Sequence, residues 1–162
     1  MIKPTQQELT ERAKQNVSHY NSHYAGIPAH NLEFYACNAE QRQLELTHIM
    51  SPGEMNIYNY LHGGAIAWLL DSCAGILCRS YMNIKACVTT NININYVRSI
   101  CGNDPIVIRA TLTNEGRKLI HASMDIHHME TQQVFCTASA AFFVKDDRPP
   151  RTGNDQHSIT GL

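Results

Sequence analysis

The spacing of apolar and polar residues predicts a helix followed by two strands near the start of the chain. Thr5 and Glu8 form a capping-box pattern, which favours a helix from about Thr5 to Tyr20. Two short alternations of apolar and polar residues follow, at positions 32–36 and 42–49, and each of them predicts a strand.

The middle of the chain changes from a helical period to a strand period. Residues 64–81 predict a long helix that is apolar around most of its circumference. In residues 88–96 the even positions are mainly apolar and the odd positions polar, which predicts a half-buried strand. This alternation places Thr89 on the polar face of the strand, away from the helix. Three further strands are predicted, over residues 106–112, 118–129 and 133–145.

One long apolar helix followed by antiparallel strands predicts an α+β fold in which a curved sheet wraps the helix. Residues 1–28 are expected to form an N-terminal helical segment, residues 29–145 the main domain and residues 146–162 a flexible C-terminal tail. An apolar helix covered by only one sheet also leaves surface that a second subunit could cover.

Composition restricts the classes of partner. The 162 residues are 43% hydrophobic, which is enough for one domain with a core. Thirteen basic and fourteen acidic residues give a net charge of -1, so there is no electrostatic case for a nucleic-acid partner. The longest apolar run, residues 64–78, is shorter than the roughly 20 residues that span a bilayer and contains Asp71. With no hydrophobic signal region at the N-terminus, we expect a cytoplasmic protein without a membrane partner.

The cysteines and histidines do not predict a metal site. The six cysteines contain no CxxC pair, so we expect free and mostly buried thiols. His127 and His128 are neighbours on a predicted strand, where they point to opposite faces and cannot share an ion. His19 and His23 have a spacing that could bind zinc, but further ligands are lacking nearby.

The chemistry-bearing residues cluster at the start of the long helix. Gly63 and Gly64 offer bare backbone N–H groups and the positive end of the helix dipole to a carbonyl or an anion. Asp71 lies about two turns further on, in an apolar segment, where burying a carboxylate costs several kcal/mol unless it is paired or hydrogen-bonded. The segment therefore combines an electrophile-binding end with a base.

The spacing of Asn56, the sequence His62-Gly63-Gly64 and Asp71 resembles that of hotdog-fold acyl-CoA thioesterases of the phenylacetate-degradation type. The strand after the helix and the Gly116-Arg117 pair are also similar to that family, and the likeness extends over most of the chain. The resemblance implies a hotdog fold, an acyl-CoA substrate, and a homodimer or dimer of dimers with active sites shared at the interface.

The resemblance also implies roles for individual residues. Asp71 would activate water or attack the thioester directly, and the Gly63 amide would polarise the carbonyl. Asn56 would help to hold the carbonyl or the water, and Thr89 would assist at the carboxylate. His62 fits the motif as a positioning residue.

Substrate binding is assigned to Gly64 and to three cations that could meet the phosphates of coenzyme A, namely Arg98, Arg117 and Lys118. The alternative for these cations is ordinary solvated charge near a turn. No separate cofactor is expected, because coenzyme A is part of the substrate.

Two residues depart from the family pattern. Asn59 stands where the family often has glycine, and asparagine tolerates the left-handed backbone that such a position can require. Ser99 stands where the family often has proline, which leaves the end of its strand less constrained.

The length of the helix separates the two chemical groups. Gly63 and Asp71 are eight residues apart, which is roughly 12 Å along one helix. If both act on one thioester carbon, Asp71 must come from a neighbouring chain whose helix runs in the opposite direction.

Simpler interpretations of the same residues stay open. The glycine pair could serve close helix packing, Asp71 could be an interface carboxylate satisfied by backbone amides or a serine, and Asn56 could be a turn residue. At the level of function, the alternative to a thioesterase is a noncatalytic acyl-CoA-binding protein that acts as a sensor or regulator. A hydratase or dehydratase would need a second acid–base group beside His62.

Overall fold

The computed structural model describes residues 3–26 and 31–145, which form two α-helices, six β-strands and one short 3-10 turn, Pro52–Glu54. The helices are α1 (Gln6–His23) and α2 (Gly63–Met82). The strands are β1 (Leu32–Asn38), β2 (Gln43–His48), β3 (Cys87–Tyr96), β4 (Ile106–Glu115), β5 (Leu119–His128) and β6 (Val134–Val144). They form one antiparallel sheet in the order β1-β2-β4-β5-β6-β3, which confirms the predicted α+β class.

The sheet packs against α2 with one face. Apolar residues of α2 such as Leu69, Leu70 and Leu77 have no exposed surface and share one core with the inward-facing residues of the strands. The strand residues alternate as predicted, since Ile108 and Ala110 of β4 are fully buried in the same core. Burying the apolar side chains of this helix makes a large favourable contribution to folding.

Helix α1 packs on the same core through residues one turn apart. Its N-terminus forms the predicted capping box, in which the Glu8 backbone N–H donates to Thr5 and the Glu8 carboxylate accepts from the Thr5 backbone. Leu9, Ala13 and Val17 are buried, and the helix contacts β1 and α2. It runs one turn further than the sequence predicted. The boundary near residue 28 and the expected tail at 146–162 lie outside the described residues.

Strand β3 lies at the edge of the sheet and contains a β-bulge. Its pairing with β6 shifts register between Thr89 and Asn91, and the Thr90 hydroxyl donates to the Ala141 carbonyl. The bulge reverses the alternation, so that Thr89 points towards α2 while Ile92 packs on the core. The prediction that Thr89 lies on the face turned away from the helix is therefore wrong, because the extra residue of the bulge shifts the period.

The six cysteines are all free, as predicted, and Cys73, Cys78 and Cys136 are buried. Neither α1 nor α2 has an apolar stretch sufficient for crossing a bilayer. No group of three or more potential metal-ligating side chains occurs within residues 3–26 and 31–145.

A buried ion pair anchors the segment that leads into α2. The side chains of His48 and Glu54 are 2% and 0% exposed, and His48 Nε2 lies 2.7 Å from Glu54 Oε1. His48 Nδ1 lies 2.9 Å from the Asn31 carbonyl, so both ring nitrogens face oxygen acceptors. The Ser51 backbone N–H and hydroxyl donate to Glu54 Oε2. Burial raises the pKa of Glu54, but the bonds from Ser51 and the interaction with His48 outweigh it and hold the pKa below its ordinary value.

We predict that Glu54→Gln lowers the free energy of unfolding by about 3 kcal/mol, because it leaves His48 buried beside a neutral group. A carboxyl with a lowered folded pKa stabilises the fold above its unfolded pKa. This contribution is lost as the pH falls through the lowered pKa of the folded state. Urea unfolding at pH 7 and at a series of acidic pH values measures both effects.

The matched control is Glu40→Gln, since Glu40 is an exposed residue of the β1–β2 turn. This variant should change the free energy of unfolding by no more than about 0.5 kcal/mol. Equal effects of the two substitutions at pH 7 would contradict the role assigned to the buried pair.

Candidate active site

His62 is the N-cap residue of α2, and its side chain caps the helix. The His62 Nδ1 atom accepts a hydrogen bond of 2.9 Å from the Gly64 backbone N–H, and the His62 N–H donates to the Glu54 carbonyl. A Cβ on Gly64 would lie 3.0 Å from His62 Nδ1, so a side chain there would disturb the cap. His62 therefore fixes the start of α2, and the Gly64 amide, which was predicted to bind substrate, is bonded to this cap.

Gly63 is the first residue of α2 and borders an open cavity of about 300 Å³. The first N–H groups of a helix have no intrahelical acceptor, so the Gly63 amide is available at this end. The Tyr96 hydroxyl donates to the Gly63 carbonyl over 3.0 Å, and a Cβ on Gly63 would make ordinary contact with the Tyr96 ring. Arg98 and Ser99 line the same cavity.

The loop before α2 is closed by Asn56. Its Oδ1 atom accepts from the backbone N–H groups of Tyr58 and Tyr60, at 2.9 and 3.1 Å. Asn59 has φ of 61°, the left-handed conformation that the sequence allowed for this position. Asn56 is therefore a turn residue that also lines the Gly63 cavity. Its side-chain oxygen is bonded to the loop, and its side-chain NH2 group lies at the other end of the same amide.

Asp71 lies at the second cavity, which has a volume of about 280 Å³. The carboxylate is partly exposed, and its Oδ1 atom accepts a 2.6 Å hydrogen bond from the Thr89 hydroxyl. This bond exists because the bulge in β3 turns Thr89 inwards. The carboxylate is thus oriented by a neutral donor, and it opens to a cavity instead of being enclosed by apolar side chains.

One wall of the Asp71 cavity comes from α1. The Tyr20 hydroxyl accepts hydrogen bonds from Trp68 Nε1 and from the Ser72 hydroxyl. Burial raises the pKa of Tyr20, so the hydroxyl stays protonated. The Tyr24 ring packs against Tyr20 and Trp68, with ring centroids 4.8 and 5.6 Å apart. The end of α1 is therefore fixed to α2 beside the carboxylate.

Residues 58–135, which include the helix start, Asp71 and Thr89, match the family model of the thioesterase superfamily. Over this part of its length the chain is similar to the thioesterase superfamily. The mouse acyl-coenzyme A thioesterase THEM4 is 32% identical over 94 residues, which are 57% of this chain and only 39% of that protein.

Comparison with solved structures confirms the predicted hotdog fold. The PaaI protein of E. coli, from the phenylacetic acid degradation operon, matches with a TM-score of 0.72 and 17% identity over 85% of this chain and 96% of that one. The protein smu.793 of Streptococcus mutans, solved with acetyl-CoA bound, matches with a TM-score of 0.65 and 23% identity over 74% and 92% of the two chains.

The residues predicted for the active site fall into two groups in the structure. Asn56, Gly63 and Arg98 line one cavity, while Asp71 and Thr89 line the other, and the described lining residues of the two cavities do not overlap. Arg117 and Lys118 lie in the β4–β5 turn and line neither cavity. The expected separation of the glycine end from the carboxylate is therefore observed within one chain.

Sequence reasoning missed Tyr20 and Arg79, both of which line the Asp71 cavity. Tyr20 reaches it through the packing of α1 on α2, which no local pattern indicates. Arg79 carried a usable signal, because Asp71, Gly75 and Arg79 are spaced four residues apart and therefore share one face of the helix.

We predict that Tyr20→Phe lowers the free energy of unfolding by about 1 kcal/mol, because Trp68 Nε1 and the Ser72 hydroxyl lose their common acceptor. Trp68 is the single tryptophan of the chain, so its fluorescence emission should also shift. Tyr24→Phe is the matched control, since it keeps the ring contacts and should alter neither quantity appreciably. The role of the Tyr20 hydroxyl would be refuted if both variants unfolded with the wild-type free energy.

Proposed function

We propose that this protein hydrolyses acyl-CoA thioesters to a free acid and coenzyme A, in active sites that two subunits share. The observation that carries the proposal is the Asp71 carboxylate, which is held by Thr89 at the mouth of an open cavity and has no cation within ion-pair distance in the described chain. The match of residues 58–135 to the thioesterase-superfamily model, the likeness to THEM4 and the acetyl-CoA bound to the streptococcal neighbour support it.

Asp71 supplies the base or the nucleophile. As a base, it takes a proton from water while the water oxygen attacks the thioester carbonyl, and the C–S bond then breaks to give the acid and the CoA thiolate. As a nucleophile, its oxygen attacks the same carbon, the C–S bond breaks to release the CoA thiolate and leave a mixed anhydride, and water then hydrolyses that anhydride. In both routes the thiolate takes up a proton. Because Thr89 occupies Oδ1, the other carboxylate oxygen remains for this step.

The glycine end stabilises the oxyanion that forms during attack. The Gly64 N–H is bonded to His62, so the Gly63 N–H is the donor that remains at the N-terminus of α2. The positive end of the helix dipole lies at the same place. The NH2 group of Asn56 serves as a second donor from the same cavity. Arg98 in that cavity meets a phosphate of coenzyme A.

A second subunit brings the two groups together. Within one helix Gly63 and Asp71 are roughly 12 Å apart, and they line separate cavities. Four side chains near the Gly63 end and the β3 edge are more than half exposed although they are apolar or aromatic, namely Ile57, Tyr58, Tyr96 and Val97. Such a surface fits coverage by another copy with its helix reversed, in a homodimer or a dimer of dimers.

We predict that Asp71→Asn lowers kcat at least about 100-fold with acyl-CoA substrates, because the base or nucleophile is lost. Thr89→Val should lower kcat about tenfold while keeping the fold. Since Cys101 is a free and exposed thiol that would add to the signal of a thiol reagent, release of coenzyme A is best followed by chromatography. Equal rates for Asp71→Asn and the wild type would remove Asp71 from the mechanism, and binding of acyl-CoA without turnover by the wild type would favour the noncatalytic sensor or regulator.

We predict that Gly63→Pro abolishes hydrolysis, whereas Gly63→Ala retains most of it. Proline is tolerated at the first helical position and removes only the N–H group, and the extended backbone of His62 is compatible with a following proline. A Cβ at Gly63 has room, so Gly63→Ala tests the added atom alone. Full activity of Gly63→Pro would show that this amide is not the oxyanion donor.

A mixture of the two inactive variants tests the shared site. When Asp71→Asn and Gly63→Pro subunits are refolded together in equal amounts, half of the dimers are mixed and each has one intact site. Activity should then recover to about a quarter of the wild-type value. Recovery is absent if Gly63 and Asp71 of the same subunit act together, and this outcome would overturn the shared site.

A further inference from the structure

The Asp71 cavity continues along one face of α2 towards Arg79. Asp71, Gly75 and Arg79 follow one another at intervals of four residues, and all three line the cavity. A Cβ on Gly75 would meet nothing within 4 Å, so the middle of this face is open space. The three residues define a groove about 12 Å long, which we call the α2 groove.

Arg79 lies at the far end of the α2 groove without an acidic partner. Its Nε atom is buried and has no hydrogen-bond partner, and within residues 3–26 and 31–145 no carboxylate lies within ion-pair distance of it. A buried donor left unpaired costs about 1 to 3 kcal/mol, and more when it is charged. A group that binds there and accepts this hydrogen bond offsets the cost.

The charges around the groove favour an anion at its far end. Asp71 is the one carboxylate among the described lining residues, and it stands at the opposite end. The positive charge of Arg79 also acts on the nearby Cys87. The pKa of Cys87 is lowered chiefly by a hydrogen bond with Cys78, against the effect of burial, and it is lowered further by Arg79. His19 and His23 line the cavity as well and add polar nitrogen atoms.

We propose that Arg79 binds an anionic oxygen group of the substrate, and specifically the far carboxylate of a dicarboxylic acyl chain whose thioester carbon reacts at Asp71. This inference rests on the proposed thioesterase activity. The side chain of a helical residue tilts towards the N-terminus, so Arg79 reaches back over Gly75 towards Asp71 and suits a short acyl chain. A phosphate of coenzyme A offers the same chemistry from the other side of the thioester.

The test compares two acyl groups of equal length on two carriers. Glutaryl and valeryl thioesters differ by the terminal carboxylate, and each is prepared on coenzyme A and on N-acetylcysteamine, which has no phosphate. Wild-type protein should prefer glutaryl on both carriers. Arg79→Gln should lower kcat/KM for glutaryl by roughly tenfold to hundredfold, mainly through KM, and change valeryl less than about twofold. Arg79→Lys keeps the charge and should recover part of the loss.

Each of the other outcomes of this comparison would overturn a specific part of the proposal. Loss with both acyl groups on coenzyme A but with neither on N-acetylcysteamine would assign Arg79 to a phosphate and overturn the acyl carboxylate. Equal effects on all four thioesters, or none, would overturn the anion site. Thermal unfolding of Arg79→Gln, which loses no ion pair within the described chain, checks that the variant folds.

A binding measurement separates this inference from the proposed activity. If the wild type hydrolyses none of the thioesters, the proposed function fails, and the anion site is then tested by titration of Trp68 fluorescence with glutaryl-CoA and valeryl-CoA. Tighter binding of glutaryl-CoA that is lost in Arg79→Gln supports the site. Equal dissociation constants for the two ligands in the wild type refute it.

Discussion

The burial of α2 is the constraint on which the rest of the structure depends. A helix with so little polar surface must be enclosed, and six antiparallel strands together with α1 enclose most of it. What remains open is its N-terminus and the strip that carries Asp71, Gly75 and Arg79. The two cavities lie at these two places because most of the remaining surface of the helix is used for the core.

The elements of the fold were predictable because each carries a periodic signal. The capping box located α1, the apolar run located α2 and the period of two located the strands, with errors of a few residues at their ends. The face of Thr89 was not predictable in the same way, since one residue of the bulge between Thr89 and Asn91 reverses the alternation without a signature in composition. Register shifts of this kind depend on the partner strand.

Residues of the candidate site that are close in sequence could be predicted together. Residues that are distant in sequence could not. Gly63, Gly64 and Asp71 fall within one short segment, so the sequence itself suggested an electrophile-binding end and a base, and the resemblance to a known family added Asn56. Tyr20 is 48 residues from Trp68 and joins the cavity only through tertiary packing. The cap at His62 was also hidden, because histidine is not a usual capping residue and its role depends on the absence of a side chain at Gly64.

The buried pair of His48 and Glu54 bears on how substrate enters. Glu54 holds the His62 backbone through its carbonyl and the end of β2 through its carboxylate, so the glycine mouth is braced by the protein core. A segment tied down in this way is unsuited to act as a moving lid, since opening it would break a hydrogen-bonded pair of side chains that the fold keeps buried. In the dimer proposed above, access of substrate and departure of product would therefore take place along the surface between the two subunits.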